Sequence, residues 1–183
     1  MKVLIINYNI GNLGSLTNSL HKASNEISSN IIVSTTNSPD DILKADKVIL
    51  PGVGDFSSCK KQLNNISGMI GAINEYVNVL ARPFLGICIG MHLMAKRSFE
   101  RGEHKGLNFI NSEVVKIKSE NNEVRIPHMG WNTVKINKKK KDKKFCLIDN
   151  KDFYFVHSYR MKCKKENDIL ASFDYGKKIT AAV

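Results

Sequence analysis

Pro83-Phe84-Leu85-Gly86-Ile87-Cys88-Ile89-Gly90-Met91-His92 is the stretch whose reading decides the fold. Phe84 to Ile87 is a short apolar run after a proline, the pattern of a buried strand. Ile89 to Lys96 has no breaker after Gly90 and reads as the start of a helix. Cys88 stands at the junction, with glycine two residues before it and two after. This is the Gly-x-nucleophile-x-Gly elbow with a thiol in place of a hydroxyl. Its glycines are needed because the turn is sharp and neighbouring chains approach closely. A thiol at a helix N-terminus faces backbone N–H groups that favour the thiolate. The competing reading is a buried structural cysteine between two ordinary glycines.

Working outward, the first half alternates strands and helical stretches. Val3 to Ile6, Ile31 to Val33, Lys47 to Leu50 and Phe84 to Ile87 read as strands; Leu16, Leu20 and Ala23 recur at helical spacing. Cys59 to Leu80 has helical periodicity with a break expected near Gly68 or Gly71. Such alternation implies right-handed crossovers and an α/β fold with a parallel sheet covered by helices. The second half reads as an antiparallel extension of that sheet: a hairpin from Glu113–Lys118 to Glu123–Ile126 around Glu120-Asn121-Asn122, then strands at Phe153–Val156 and Ile169–Phe173. A single domain over residues 1–183 is the economical reading.

The net charge of +11 raises the question of nucleic acid. Seven lysines and one aspartate between Lys135 and Lys144 account for +6 of it, leaving +5 for the rest of the chain. The run Lys138-Lys139-Lys140-Lys141 has neither interleaved aromatics nor arginine, so it lacks base-stacking and bidentate base-reading groups. A solvated loop is expected there, with no nucleic-acid partner. Lys2 to Ile6 is too short for a leader, and no apolar run approaches a bilayer span, so no membrane partner is expected. Cys59, Cys88, Cys146 and Cys163 are scattered without a Cys-x-x-Cys pair. No disulfide framework, metal site or cofactor is implied, and the cytoplasm is the expected compartment.

Pro51-Gly52-Val53-Gly54 directly follows a strand. Glycines on both sides of Val53 let the peptide units rotate and aim N–H groups into a cleft, as an oxyanion hole requires. Taken alone, the segment is equally well a tight strand-to-loop turn; beside a thiol elbow ending the next strand, the oxyanion reading is the better one. Acyl transfer by a thiolate also needs a group to shuttle its proton. His21 and His104 read as surface residues, and His92 lies one turn beyond Cys88 on the same helix, poorly aimed at the sulfur. His128 and His157 occupy distinctive neighbourhoods, yet a satisfied structural histidine is the commoner fate of such residues. The chain therefore shows a nucleophile and an oxyanion hole without an evident base.

Asn7 to Leu13, Leu50 to Phe56, Leu85 to Met91, Pro127-His128-Met129-Gly130-Trp131-Asn132 and Tyr154 to Tyr159 together resemble the glutaminase subunits of imidazole glycerol phosphate synthase. These are class I glutamine amidotransferases, and the Pro127–Asn132 block is specific to that subfamily. The resemblance implies a flavodoxin-like, mostly parallel sheet flanked by helices. It makes Cys88 the nucleophile that forms a glutamyl thioester and releases ammonia, with Gly52, Val53 and Ile89 supplying the oxyanion site. The rotation of that strand would depend on the synthase partner. Gly54, His92, Glu100, His157, Ser158 and Tyr159 would contact glutamine. Asn12 and Pro127, His128, Met129, Gly130 and Trp131 would face a (βα)8-barrel synthase subunit. Ammonia would pass through that barrel to make imidazole glycerol phosphate for histidine biosynthesis.

The chain departs from the family at two places. His92 stands where the family usually has glutamine, which bears on glutamine affinity. The catalytic histidine and glutamate of the family lie in a His-Pro-Glu motif shortly after the position of Thr180-Ala181-Ala182-Val183, and no such motif occurs in residues 1–183. The sequence is accordingly expected to be a domain cut short before that segment, and nearly inactive as it stands. Two alternatives go with this reading: a paralogous amidotransferase feeding ammonia to amidination of a surface sugar, and an inactive scaffold that only binds the barrel.

Overall fold

Val3, Leu4, Ile5 and Ile6 are apolar and mostly β-branched, and β1 (Lys2–Ile6) buries all four. In the computed structural model, which describes residues 1–27, 30–118, 124–137, 139 and 143–183, β1 is one of two inner strands of the first sheet. The others are β2 (Ile32–Thr36), β3 (Lys47–Leu50) and β4 (Phe84–Gly86). The order is β2-β1-β3-β4, and every pairing is parallel. The chain leaves β1 for β2 on one side and then crosses to β3 on the other. The carboxyl ends of β1 and β3 thus flank the point where strand order reverses, where open α/β sheets bind ligands.

The helices follow local signals. In α1 (Leu13–Ile27) the residues Leu13, Leu16 and Leu20 pack on Val3, Ile5, Val33 and Ile49 of the sheet. Full burial of such a side chain is worth about 1.5–3 kcal/mol, and these half-buried leucines contribute part of that. The Asn12 side chain accepts the Ser15 N–H at 3.1 Å and caps this helix. A short helix α2 (Pro39–Leu43) has Pro39 in its first turn with Asp40 and Asp41, favourable starting residues beside unpaired N–H groups. Its five residues are too few for periodicity to have revealed it. Then come α3 (Phe56–Asn64) and α4 (Met69–Asn74), with a π-helical turn over Glu75–Val79. The expected break falls at Gly68, whose φ of +78° is costly for other residues.

The helix expected from Ile89 to Lys96 is corrected. The helical part, α5, ends at Leu93, and Ala95–Ser98 is a strand, β5, paired with β6 (His104–Lys105) and β7 (Ile110–Lys116). Pairing with residues far along the chain overrides a weak local helical preference. The backbone divides here into two compact units, 1–94 and 95–183.

The second unit holds two four-stranded sheets of its own. One has the order β10-β7-β5-β6, with β10 at Tyr159–Cys163; the other is β12-β11-β8-β9. In the latter, β8 (His128–Ile136), β9 (Lys151–His157), β11 (Ala171–Tyr175) and β12 (Lys177–Ala182) pair antiparallel. The antiparallel strands expected as an extension of the first sheet thus form separate sheets. Glu113 to Lys116 is a strand, but its partners are β10 and β5. The proposed hairpin tip at 119–123, and most of the lysine run (138 and 140–142), lie outside the described residues. Ile117, Phe173 and Ile179 centre the core of this unit. Among the described residues no helix is long and apolar enough to cross a membrane.

Candidate active site

The end of β3 and the end of β4 are neighbours, tied by the Ile87 N–H to the Leu50 carbonyl at 2.9 Å. Pro51-Gly52-Val53-Gly54 and Cys88 are therefore brought together by sheet order alone. Cys88 has φ +55° and ψ −116°, a conformation that L-residues rarely adopt. A strained residue at a strand-to-helix turn, exposed to solvent, is the geometry of a nucleophile elbow. Close approach of three backbone segments makes its glycines necessary. A Cβ on Gly90 would overlap the Leu50 carbonyl oxygen, and one on Gly86 would lie 2.5 Å from the Gly90 oxygen. Likewise a Cβ on Gly52 would sit 2.8 Å from both the Gly90 nitrogen and the Ile89 Cβ. Of the oxyanion candidates, Gly52 and Ile89 thus pack against each other beside the sulfur-bearing residue, while Val53 is exposed. Because α5 has only five residues, help to a thiolate comes from its first-turn amides rather than from a long helix dipole.

Cys59 is a different thiol. It is fully buried on α3, and burial pushes its ionisation up, so it stays protonated. Its Sγ donates to the Val53 carbonyl at 3.3 Å. Tyr8, also buried, donates its hydroxyl to the Pro51 carbonyl at 2.5 Å, and burial keeps that phenol neutral. Tyr8 lay within a family-like segment but had been given no role, and Cys59 was only one of four scattered cysteines. Neither carries a recognisable sequence motif; the Tyr8–Pro51 bond joins segments 43 residues apart, while Cys59 reaches back six residues to Val53. Gly54, at φ +88°, completes the turn, and Asp55 caps α3 by accepting the Ser58 N–H at 3.0 Å. His92 is buried on α5, 6% exposed. Asn12, expected at a partner interface, is exposed and also caps α1.

The remaining expected site residues belong to the second unit. Glu100 is buried, with its N–H donated to the Ser98 hydroxyl at 3.1 Å. His104, expected at the surface, is half-buried. Side chains of β8 alternate inward and outward, as a strand requires. Met129 and Trp131 point outward, 62% and 69% exposed, and Trp131 meets Tyr154 edge-on at 5.5 Å. His128, expected among the interface residues, faces inward and is 2% exposed, which corrects that expectation. Its ring lies against Phe155, Phe173 and Tyr175, with centroids 3.9–5.7 Å away.

The β8–β9 register sets His128 opposite His157, and their rings meet, Nδ1 to Nε2, at 3.0 Å. The other His157 nitrogen, Nδ1, lies 2.9 Å from the Tyr159 carbonyl, to which it donates. That leaves His157 no ring nitrogen for a ligand, against the expectation that it contacts one. Burial pushes its imidazole below the ordinary range; the Tyr159 carbonyl partly counters this, and His128 adds to it. Ser158 and Tyr159 are half-buried. Among the described residues no group of three or more His, Cys, Asp or Glu side chains is placed to hold a metal ion.

The model of the family "Glutamine amidotransferase class-I" matches residues 9–183. Curated relatives named as imidazole glycerol phosphate synthase subunit HisH align along the whole chain. That of Rhodopseudomonas palustris is 42% identical, covering 100% of this chain and 86% of the relative. HisH 2 of Methanococcus maripaludis is 45% identical over 99% and 85%, and HisH 1 of Campylobacter jejuni 44% over 99% and 85%. A crystal structure of a glutamine amidotransferase shares the fold at TM-score 0.68 and 14% identity, covering 95% of this chain and 85% of its own. Another, from Thermotoga maritima, does so at TM-score 0.59 and 17% identity, covering 98% and 73%. With its thiol elbow at the carboxyl end of a parallel-sheet strand and a family match over nearly its whole length, the chain belongs to the class I glutamine amidotransferases.

Proposed function

We propose that this chain is the glutaminase subunit of imidazole glycerol phosphate synthase, hydrolysing glutamine and delivering ammonia to a (βα)8-barrel partner. The observation that carries the reading is identity of 38–45% to relatives named as that subunit, along the full chain. The strained, exposed Cys88 fits the chemistry. Its sulfur attacks the carboxamide carbon, a C–S bond forms, and the carbonyl electron pair moves onto oxygen. The N–H groups of Val53 and Ile89 receive that charge. Collapse breaks the C–N bond; the nitrogen leaves as ammonia once it has taken a proton, and water then hydrolyses the thioester to glutamate. By the family resemblance Glu100, Ser158 and Tyr159 are assigned to the amino-acid end of glutamine, and the His157 ring fixes the Tyr159 carbonyl. His92, one turn beyond Cys88 on α5, stands where the family usually has an amide side chain.

The exposed Met129 and Trp131, with Pro127, form the docking face for the barrel. Two of the relatives carry numbered names, HisH 2 and HisH 1, which keeps a paralogue with another ammonia acceptor as a second reading. Labelling with the glutamine analogue diazo-oxo-norleucine tests the core assignment. The adduct should map to Cys88, and Cys88→Ala should abolish both labelling and glutamine hydrolysis while leaving partner binding intact. An adduct on Cys59, Cys146 or Cys163 would overturn it.

A further inference from the structure

We propose that Tyr8 and Cys59 are positioning residues for the oxyanion donors, clamping the peptide groups on both sides of Gly52–Val53 so that this one peptide alone is left to turn. The inference rests on the glutaminase reading above and concerns the same turn. In a trans peptide the C=O and the following N–H point in opposite directions. Fixing the Pro51 carbonyl through the Tyr8 hydroxyl at 2.5 Å therefore also fixes where the Gly52 N–H points. Fixing the Val53 carbonyl through the Cys59 thiol at 3.3 Å does the same for the Gly54 N–H.

Each donor has a single proton to give. One goes to Pro51 and one to Val53, so neither side chain holds the peptide between them. That intervening peptide carries the Val53 N–H, the oxyanion donor. It can rotate about ψ of Gly52 and φ of Val53, which change in opposite senses and leave the clamped neighbours in place. Its surroundings suit such a movement. Gly52 is anchored at Cα by packing on Ile89 and Gly90, while the Val53 side chain is 52% exposed and meets little resistance. The two clamps come from different elements, Tyr8 from just beyond β1 and Cys59 from α3, and their side chains lie against each other. The device thus confines any switching of the oxyanion site to one peptide, with Tyr8 the stronger clamp because a thiol is a weak donor.

The test is the acylation of Cys88 by the γ-p-nitrophenyl ester of glutamate. The Cys88 thiolate forms the C–S bond, the C–O bond breaks, and p-nitrophenolate leaves with the electron pair, so no acid need protonate the leaving group. Tyr8→Phe should slow the p-nitrophenolate burst about tenfold, the worth of one well-placed hydrogen bond. The half-saturating ester concentration and the rate of Cys88 alkylation by iodoacetamide should stay within about twofold. Cys59→Ala should slow the burst less, and Cys59→Ser should restore it; that pair decides the matter if Tyr8→Phe fails to fold. Burst rates equal to wild type in both Tyr8→Phe and Cys59→Ala overturn the clamp. So do burst rate, ester binding and alkylation falling together, which would mark a purely structural role. A wild-type protein that alkylates at Cys88 yet shows no burst would instead overturn the glutaminase reading itself.

Discussion

Replacing Trp131 by alanine should weaken docking to the barrel subunit while leaving the isolated chain folded. A Trp side chain presents up to about 250 Å², and 69% exposure leaves about 170 Å² of it accessible on β8. At about 25 cal/mol per Å² its full burial is worth about 4 kcal/mol, an upper bound because association also costs side-chain ordering. An anchor of this kind should therefore contribute about 2 kcal/mol, a 30-fold rise in Kd. Within the chain the change removes little beyond an edge-on ring contact with Tyr154, worth about 1 kcal/mol at most for so exposed a pair. For a chain of this size that is about 2–4 °C in Tm. Phe173→Ala is the contrasting control: that ring is 2% exposed, in the core of the same unit, and its removal should cost about 3–5 kcal/mol. Titration calorimetry against the purified barrel subunit and thermal unfolding of the free chain read the two quantities. A Trp131→Ala protein that unfolds like Phe173→Ala, or that binds within twofold of wild type, would refute the assignment of this face.

The remaining predictions concern protons. A protein of residues 1–183 alone should turn over glutamine about 10²–10⁴-fold more slowly than one carrying the family's His-x-Glu segment, the worth of general acid–base help to the leaving nitrogen. Extending the chain past Val183 with a segment bearing His-x-Glu should restore turnover; equal rates without it would place the acid among the residues already present. For His157 the sign follows from burial, which lowers its folded-state pKa. The unfolded imidazole titrates near 6.5 and binds more protons just below that pH than the folded one. Its share of stability is therefore present above about pH 6.5 and is lost as pH falls through the folded value. Thermal midpoints should drop from pH 7 toward pH 5, and less steeply in His157→Gln; parallel curves would exclude the histidine as the cause.

The elements that could be read from the sequence are those set by neighbours within a few residues. The apolar runs at Val3–Ile6 and Lys47–Leu50 announced buried strands, and the structure has them at Lys2–Ile6 and Lys47–Leu50. Gly86 and Gly90 around Cys88 announced a sharp turn, and the break at Gly68 was similarly visible, since glycine is favoured where φ is positive and required where backbones nearly touch. These are local constraints, written in residue type and spacing.

Tertiary structure decided what depends on residues far apart in the chain. Ala95–Ser98 became a strand because Ile110–Lys116 and His104–Lys105 offered it partners, and no nearby residue announces that. The strand Phe84–Gly86 carries an apolar sequence yet leaves Leu85 53% exposed, which its composition could not reveal. His128 and Trp131 share one block of sequence, but β8 pleats one into an aromatic box and the other into solvent, and only the pairing register fixes which face is which. Cys59 and Tyr8 carry no motif at all. Their place against the Pro51–Gly54 turn arises because β1 and β3 are neighbours in the sheet and α3 follows directly from the turn, bringing residues 8, 51, 53 and 59 within hydrogen-bond reach. Sequence spacing encodes what a backbone can do locally, while the order of strands in a sheet determines which distant side chains meet.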